Sequence, residues 1–319
     1  MTKTSKIHTE DHFELDVCHA LQANGWKVLS DRTNNHDFAK ANYDRRNAIL
    51  PDVVLDFVKT TQPKTWERHK QNYNGDSDRQ FIKRLVEELG KHGMLRIIRD
   101  GFKDRGVKFE LCFKQPANTL NEDITLLYDQ NHLIAVRQLR YSQRNENSID
   151  LVLFINGLPV ATAELKTGFT QSVNDAISQY KNDRNPLGEA LLSFKKRALV
   201  HFAISSDEVY MTTKLDGVNT FFLPFNKGFE FCAGNPTPAQ GNYRTHYMWD
   251  TIWQKDNWLD IITRFVHLQE TKEFDKQGKS KTKETLIFPR YHQWEVVTKL
   301  LKDTRERKVE SRQSLSYPA

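Results

Sequence analysis

Residues 148–166 read SIDLVLFINGLPVATAELK. Two apolar, branched runs flank Asn156-Gly157, and this dipeptide supplies the two left-handed residues that a tight β-hairpin turn needs. Leu151 to Ile155 is apolar at every position rather than at every second one, which predicts a central strand covered on both faces, as in a layered α/β domain. Asp150 opens the first strand, while Glu164 and Lys166 close the second, so chain reversal gathers two acids and an ammonium at one end in a D-x13-E-x-K pattern.

Two carboxylates held together on a rigid sheet repel each other unless a cation lies between them, and hard oxygen ligands suit Mg2+. Such an ion activates water and offsets charge on a phosphate, while Lys166 orients that water or stabilises the extra negative charge, which is the chemistry of phosphodiester hydrolysis. The same three residues also read as a cross-strand ion pair on a sheet surface. Two further E-x-K copies, Glu270-Thr271-Lys272 and Glu306-Arg307-Lys308, fall in segments read as helix or tail, so placement at the end of an apolar strand singles out the copy at 164–166. The site also imposes a geometric condition. A regular two-residue turn sets Asp150 opposite Ala163 and sends Glu164 to the other face, whereas a three-residue loop or one bulge sets Asp150 opposite Glu164 with Lys166 on the same face. We therefore expect that irregularity.

Upstream, LIAVRQLRY from Leu133 is a third strand. Phe13, Val17, Ala20 and Leu21 mark a helix over 11–24 that Asn24-Gly25 stops, and a strand follows over Trp26 to Ser30. Residues 31–130 read as a mostly helical insertion. Within it Pro51-Asp52 is a helix start and not a site acid. Downstream, Val173, Ala176, Ile177 and Tyr180 have amphipathic-helix spacing, and ALVHFAIS and VYMTTKL are two more strands. Past Phe221 the composition turns to Gly, Pro, Asn and aromatics. A helix is expected from Trp258 to Gln269, then a solvated basic linker KQGKSKTK at 276–283, then a helix near Tyr291.

The chain has 319 residues, 38% of them apolar and 28% charged, with 47 Lys and Arg against 41 Asp and Glu. This is a globular composition with a mild basic surplus that permits an anionic partner without requiring one. No apolar run is long enough to span a membrane, the N-terminus lacks a signal-peptide core, and three scattered cysteines form no zinc spacing. A cytoplasmic protein is expected.

DLVLFINGLPVATAELK, with the FEL helix before it and the DAISQY helix after it, resembles the N-terminal nuclease of type I restriction endonuclease R subunits, a branch of the PD-(D/E)xK superfamily. The resemblance extends through HFAISSDEVYMTTKL and YMWDTIW to FPRYHQ at 288–293, which looks like the start of that family's ATP-dependent helicase motor. It implies an α/β fold, a mixed sheet flanked by helices. It also implies an endonuclease domain over 1–220, a linker region over 221–284 and the start of a motor domain over 285–319.

By the same resemblance, Asp150 and Glu164 match the metal-binding acids, Lys166 the catalytic lysine, Glu14 the acid of the first helix and Gln293 the adenine-reading glutamine of the motor. Glu14 reads equally as a solvated helix glutamate. Gln179 matches the glutamine of a Q-x-x-x-Y element whose tyrosine position is Asp183 here, which leaves Tyr180 a core residue. Ile149, not proline, precedes Asp150. Gly278-Lys279-Ser280 is only half of a phosphate-binding loop, since position 273 is Glu. We therefore expect a fragmentary R subunit without its own ATPase. Mg2+ is the implied cofactor, with ATP acting in the full-length subunit only, and double-stranded DNA and the methyltransferase and specificity subunits are the implied partners.

Arg144 and Lys181, with Gln179, are the candidate DNA contacts. Arg137, Arg140, Arg184, Lys195, Lys196 and Arg197 are further phosphate-donor candidates, and for any one of these cations a solvated charged face is the commoner explanation. A non-catalytic docking module between a motor and the methyltransferase is the competing function. A stand-alone repair nuclease of the same fold is the other, and FPRYHQ argues against it.

Overall fold

The computed structural model describes residues 10–32, 36–116, 121–167, 172–238, 242–274 and 280–314. Helix α1 (Glu10–Ala23) ends where Gly25 takes φ 85° and the Trp26 and Gly25 N–H groups return to the carbonyls of Leu21 and Gln22, a Schellman stop that turns the chain into β1 (Lys27–Ser30). The insertion follows as α2 (His36–Ala41), α3 (Pro51–Thr61), α4 (Pro63–Gln71), α5 (Ser77–His92) and α6 (Met94–Asp100). A small hairpin, β2 (Phe102–Asp104) and β3 (Val107–Phe109), and then α7 (Glu122–Asp129) complete it. Pro51 and Pro63 each sit in a first helical turn, where a missing N–H costs nothing.

The three expected strands are β4 (Leu133–Arg140), β5 (Ser148–Ile155) and β6 (Leu158–Lys166), followed by α8 (Val173–Asn182), β7 (Val200–Ser205), β8 (Val209–Thr212) and the short β9 (Leu223–Pro224). They form a seven-stranded mixed sheet in the order β1-β4-β5-β6-β7-β8-β9. The β1–β4 and β6–β7 pairs are parallel, and the other neighbours are antiparallel. The continuous apolar run of β5 has the expected cause. Leu151, Leu153 and Ile155 join a core with α1 and the insertion, while Val152 and Phe154 join the core on the opposite face with Tyr180, Leu191 and Leu192.

The C-terminal third departs from expectation. In place of a helix from Trp258 to Gln269 there is α9 (Lys255–Asp260) and a π-helical turn at Ile261–Phe265, after which Val266 is extended and β10 (His267–Phe274) begins. Its partner β11 (Ser280–Ile287) takes up 280–283 of the stretch read as a linker, and 276–279 before it lie outside the described residues. Among the described residues, only the base of this ribbon, where Leu268 pairs with the buried Leu286, meets the core, and the exposed residues beyond it carry no apolar alternation to read; they are laced instead by pairs such as Lys283–Glu273 at 3.1 Å. Residues between 221 and 284, expected as a connector, place Phe225, Tyr247, Trp253 and Trp258 in the main core beside Phe202. Helix α10 (Tyr291–Ser314) closes the described chain. Among the described residues, no helix is long and apolar enough to cross a membrane.

Candidate active site

The site starts at a turn. Asn156 and Gly157 take φ of 51° and 84°, the pair of a type I′ hairpin, and Ile155 pairs with Leu158 directly across it. Gly157 is required twice over: its φ is left-handed, and a Cβ there would lie 2.7 Å from the Leu50 carbonyl at the start of α3. On this register Asp150 would face Ala163. It does not, because Phe154 pairs with Pro159 but Leu153 pairs with Ala161, leaving Val160 as an extra residue. Leu151 then pairs with Ala163, and one step further Asp150 stands opposite Glu164. The expected irregularity is a bulge, pinned by a 2.8 Å bond from the Leu199 N–H to the Val160 carbonyl.

The β4–β5 ladder adds a third member to the row. Arg137 pairs with Leu151 and Leu139 with Ile149, which sets Gln138 opposite Asp150. Gln138 leaves the extended backbone altogether, at φ 51°. Its Nε2 donates to Asp150 Oδ1 at 2.8 Å and to Glu14 Oε2 at 2.9 Å, and its own oxygen accepts from the Ser148 hydroxyl at 3.0 Å. Glu14 is buried on α1, not solvated, and Arg137 Nε reaches its other oxygen at 2.6 Å. Asp150 Oδ2 accepts the Leu165 N–H at 2.8 Å.

Glu164 is fully buried. Its Oε1 accepts Arg184 Nε at 2.6 Å, and Arg184 Nη2 also holds the Ser148 carbonyl at 2.8 Å. Burial first, then the charge of Asp150, pushes the Glu164 carboxyl well above its ordinary range against the pull of Arg184. Burial likewise raises Glu14, opposed by Arg137 and Gln138. Lys166 is buried at the end of β6, paired in register with Ser205. Its charge reaches the first turn of α8, where the Ser172 N–H and hydroxyl, with help from Lys166, hold Asp175 below the usual carboxylate range.

Mg2+ fits the chemistry of this donor set. Glu164 Oε2 is buried with no hydrogen-bond partner, and an ionised carboxylate offers about four lone-pair sites, so Asp150 keeps acceptor capacity beside its two N–H donors. The expected trio of Glu14, Asp150 and Glu164 is nonetheless not drawn round one point. Among the described residues no three His, Cys, Asp or Glu side chains are grouped to hold a metal, and the Gln138 amide stands between Glu14 and Asp150.

The other candidates lie elsewhere. Gln179 and Lys181 are half-buried on α8, and Tyr180 beside them is a core residue bonded to Thr162 Oγ1 at 2.7 Å. Arg144 is exposed, with one nitrogen on the Leu187 carbonyl. Gln293 is exposed at the start of α10, where its Oε1 accepts the Arg290 N–H at 2.9 Å as a helix-end contact.

Several cations read as possible phosphate donors point inward instead. Arg137 and Arg184 neutralise Glu14 and Glu164, Arg197 is buried against the Asn47 carbonyl at 2.6 Å, and Lys195 pairs with Glu284. Gln138 and the inward role of Arg184 were missed by sequence reasoning. Seven residues join β4 to β5, so no turn geometry ties Gln138 to Asp150, and nothing in RNPLG separates Arg184 from a surface arginine.

A model of the N terminus of type I restriction enzyme R proteins matches residues 9–220, a span that holds α1, the insertion, β1 to β8 and the whole acidic row. No curated protein matches the chain. The helix-flanked mixed sheet is a PD-(D/E)xK-like nuclease fold.

Proposed function

Because this chain belongs to the family of type I restriction enzyme R protein N-terminal regions, we propose that it is a Mg2+-dependent endonuclease module that hydrolyses phosphodiester bonds of double-stranded DNA. The observation that carries this reading is the Val160 bulge. Its one extra residue aligns Asp150 with Glu164 and leaves Lys166 on the same face. A structural ion pair needs no such correction of register, because either face of a strand would serve it.

In this reading Asp150 and Glu164 hold the cation, and Glu14 is the third carboxylate. When bound, Mg2+ acidifies water and offsets negative charge on the phosphate. The Lys166 ammonium donates to the attacking water or to a phosphate oxygen, stabilising charge as it develops. Arg184 fixes the Glu164 carboxylate through Oε1 and leaves Oε2 for the ion. Gln179, Arg144 and Lys181 contact the DNA backbone. In the full-length subunit, ATP-driven translocation precedes cleavage, Gln293 contacts the adenine, and the methyltransferase and specificity subunits are partners. Residues 1–220 are then the nuclease, 221–284 the connection, which packs Phe225, Tyr247, Trp253 and Trp258 into the nuclease core, and 285–319 the start of the motor.

A second reading is favoured by one observation: each acid already has an internal partner, Arg137 on Glu14, Gln138 on Asp150 and Arg184 on Glu164. Such a network also serves a non-catalytic docking module. The decisive test is nicking of supercoiled DNA by a reconstituted full-length complex carrying wild-type or Lys166→Ala subunits, together with thermal unfolding in Mg2+ or Mn2+. Loss of nicking in the variant, and metal stabilisation of the wild type beyond that of Asp150→Ala, support the nuclease. Equal nicking, or no metal stabilisation, supports docking.

A further inference from the structure

Gln138 is the one member of the row that no reading above assigns. Its backbone is left-handed in mid-strand, a conformation a non-glycine residue keeps only when its surroundings impose it. The surroundings here are specific. Ser148 donates to the Gln138 oxygen, which fixes the amide so that both hydrogens of Nε2 point at carboxylates, one to Asp150 and one to Glu14. One nitrogen therefore sits between two acids carried by different layers, since α1 packs on the core of Leu151 and Ala163 while Asp150 shares its face with Val152 and Phe154.

That is the position a divalent cation takes between two carboxylates, and the amide is the neutral group best able to imitate it: two donors, no charge, no need for a counter-ion. We infer that Gln138 is a placeholder for a cation between Glu14 and Asp150, a positioning residue that holds the two acids together when no metal is bound and competes with metal for them. The inference rests on the nuclease reading. A placeholder has a distinctive consequence: removing it leaves two acids facing each other, which weakens the metal-free protein and strengthens its hold on the ion.

The test uses the whole chain, with Mn2+ as probe, titrated by calorimetry and by the shift in thermal midpoint. Gln138→Met keeps length but removes both donors, and Gln138→Gly also relieves the positive φ. Both are expected to bind Mn2+ at least threefold more tightly than wild type, and Glu14→Gln in the Gln138→Met background abolishes the gain. The two variants differ in metal-free stability, the glycine variant being the better of the two if strain contributes, while agreeing in affinity. Unchanged or weaker binding in Gln138→Met overturns the placeholder role and leaves Gln138 a structural residue. If Gln138→Met does not fold, Gln138→Gly decides alone by the same comparison. Failure of the wild type to bind Mn2+ at all is a different result: it removes the nuclease reading, and the placeholder with it.

Discussion

Arg184 Nε lies 2.6 Å from Glu164 Oε1, and both side chains are buried at the β6 end of the acidic row. A buried pair adds little over an apolar pair of the same shape, but breaking it strands a charge, at a cost of about 3–5 kcal/mol. Arg184→Ala is therefore expected to lower stability by roughly that amount in urea unfolding near neutral pH. The double variant Arg184→Met with Glu164→Leu should recover most of the loss, because no charge is left unpaired. If the single variant loses less than about 1 kcal/mol, the arginine is a surface group of the ordinary exposed kind.

The pH dependence follows from the same burial. Glu164 is raised well above its ordinary value of 4.5, and Glu14 is raised too. A carboxyl whose folded pKa is raised binds its proton more tightly in the folded state, so its stabilising contribution is complete below 4.5 and is lost as pH rises through the raised value. Thermal midpoints of the metal-free protein should fall as pH rises above 4.5 for this reason, and Glu164→Gln should flatten the fall. Mg2+ favours the ionised carboxylates, so the stabilisation it adds should grow with pH over the same interval. A metal-induced shift independent of pH would show that these acids do not receive the ion.

The hairpin turn makes a prediction that separates strain from space. Gly157 and Gly106 have nearly equal φ, 84° and 82°, but a Cβ at 157 meets the Leu50 carbonyl at 2.7 Å while one at 106 meets nothing within 4 Å. Gly106→Ala should cost about 1 kcal/mol, the left-handed strain alone. Gly157→Ala should cost clearly more in the same denaturant titration, because backbone and not a flexible side chain stands in the way. Equal costs would mean that α3 is free to withdraw from the turn.

How much of this could be read from the chain depends on which residue sets which. The β5–β6 hairpin was legible because Asn156-Gly157 fixes the turn, and the chemistry of Asp150 and Glu164 then demands one extra residue, which the structure supplies at Val160. Gln138 was not legible: β4 and β5 are joined by 141–147, too long a link to set register, and a left-handed glutamine in a strand has no local signature. Arg184 was invisible for a different reason. Only the fold brings it back from beyond α8 onto β6, twenty residues earlier in sequence. The π turn at 261–265 and the β10–β11 ribbon were hidden because helix periodicity survives a π turn, and a ribbon that touches the core only at its base has no apolar rhythm.

Lys166 separates catalysis from assembly. Lys166 ends β6 opposite Ser205 and its charge reaches Asp175, whereas Asp150 and Glu164 accept bonds from Gln138, Leu165 and Arg184. Lys166→Ala should therefore leave the Mg2+-dependent rise in thermal midpoint nearly intact while slowing single-turnover nicking in the reconstituted complex by about 10²–10³-fold, the usual loss for one donor aimed at developing charge. Lys166→Arg keeps the charge but changes its shape, and should restore part of the rate if charge matters and little if a proton is placed at one atom. Loss of the metal response in Lys166→Ala would instead make the lysine part of the framework that holds the acids, and its assignment to the chemistry would fall.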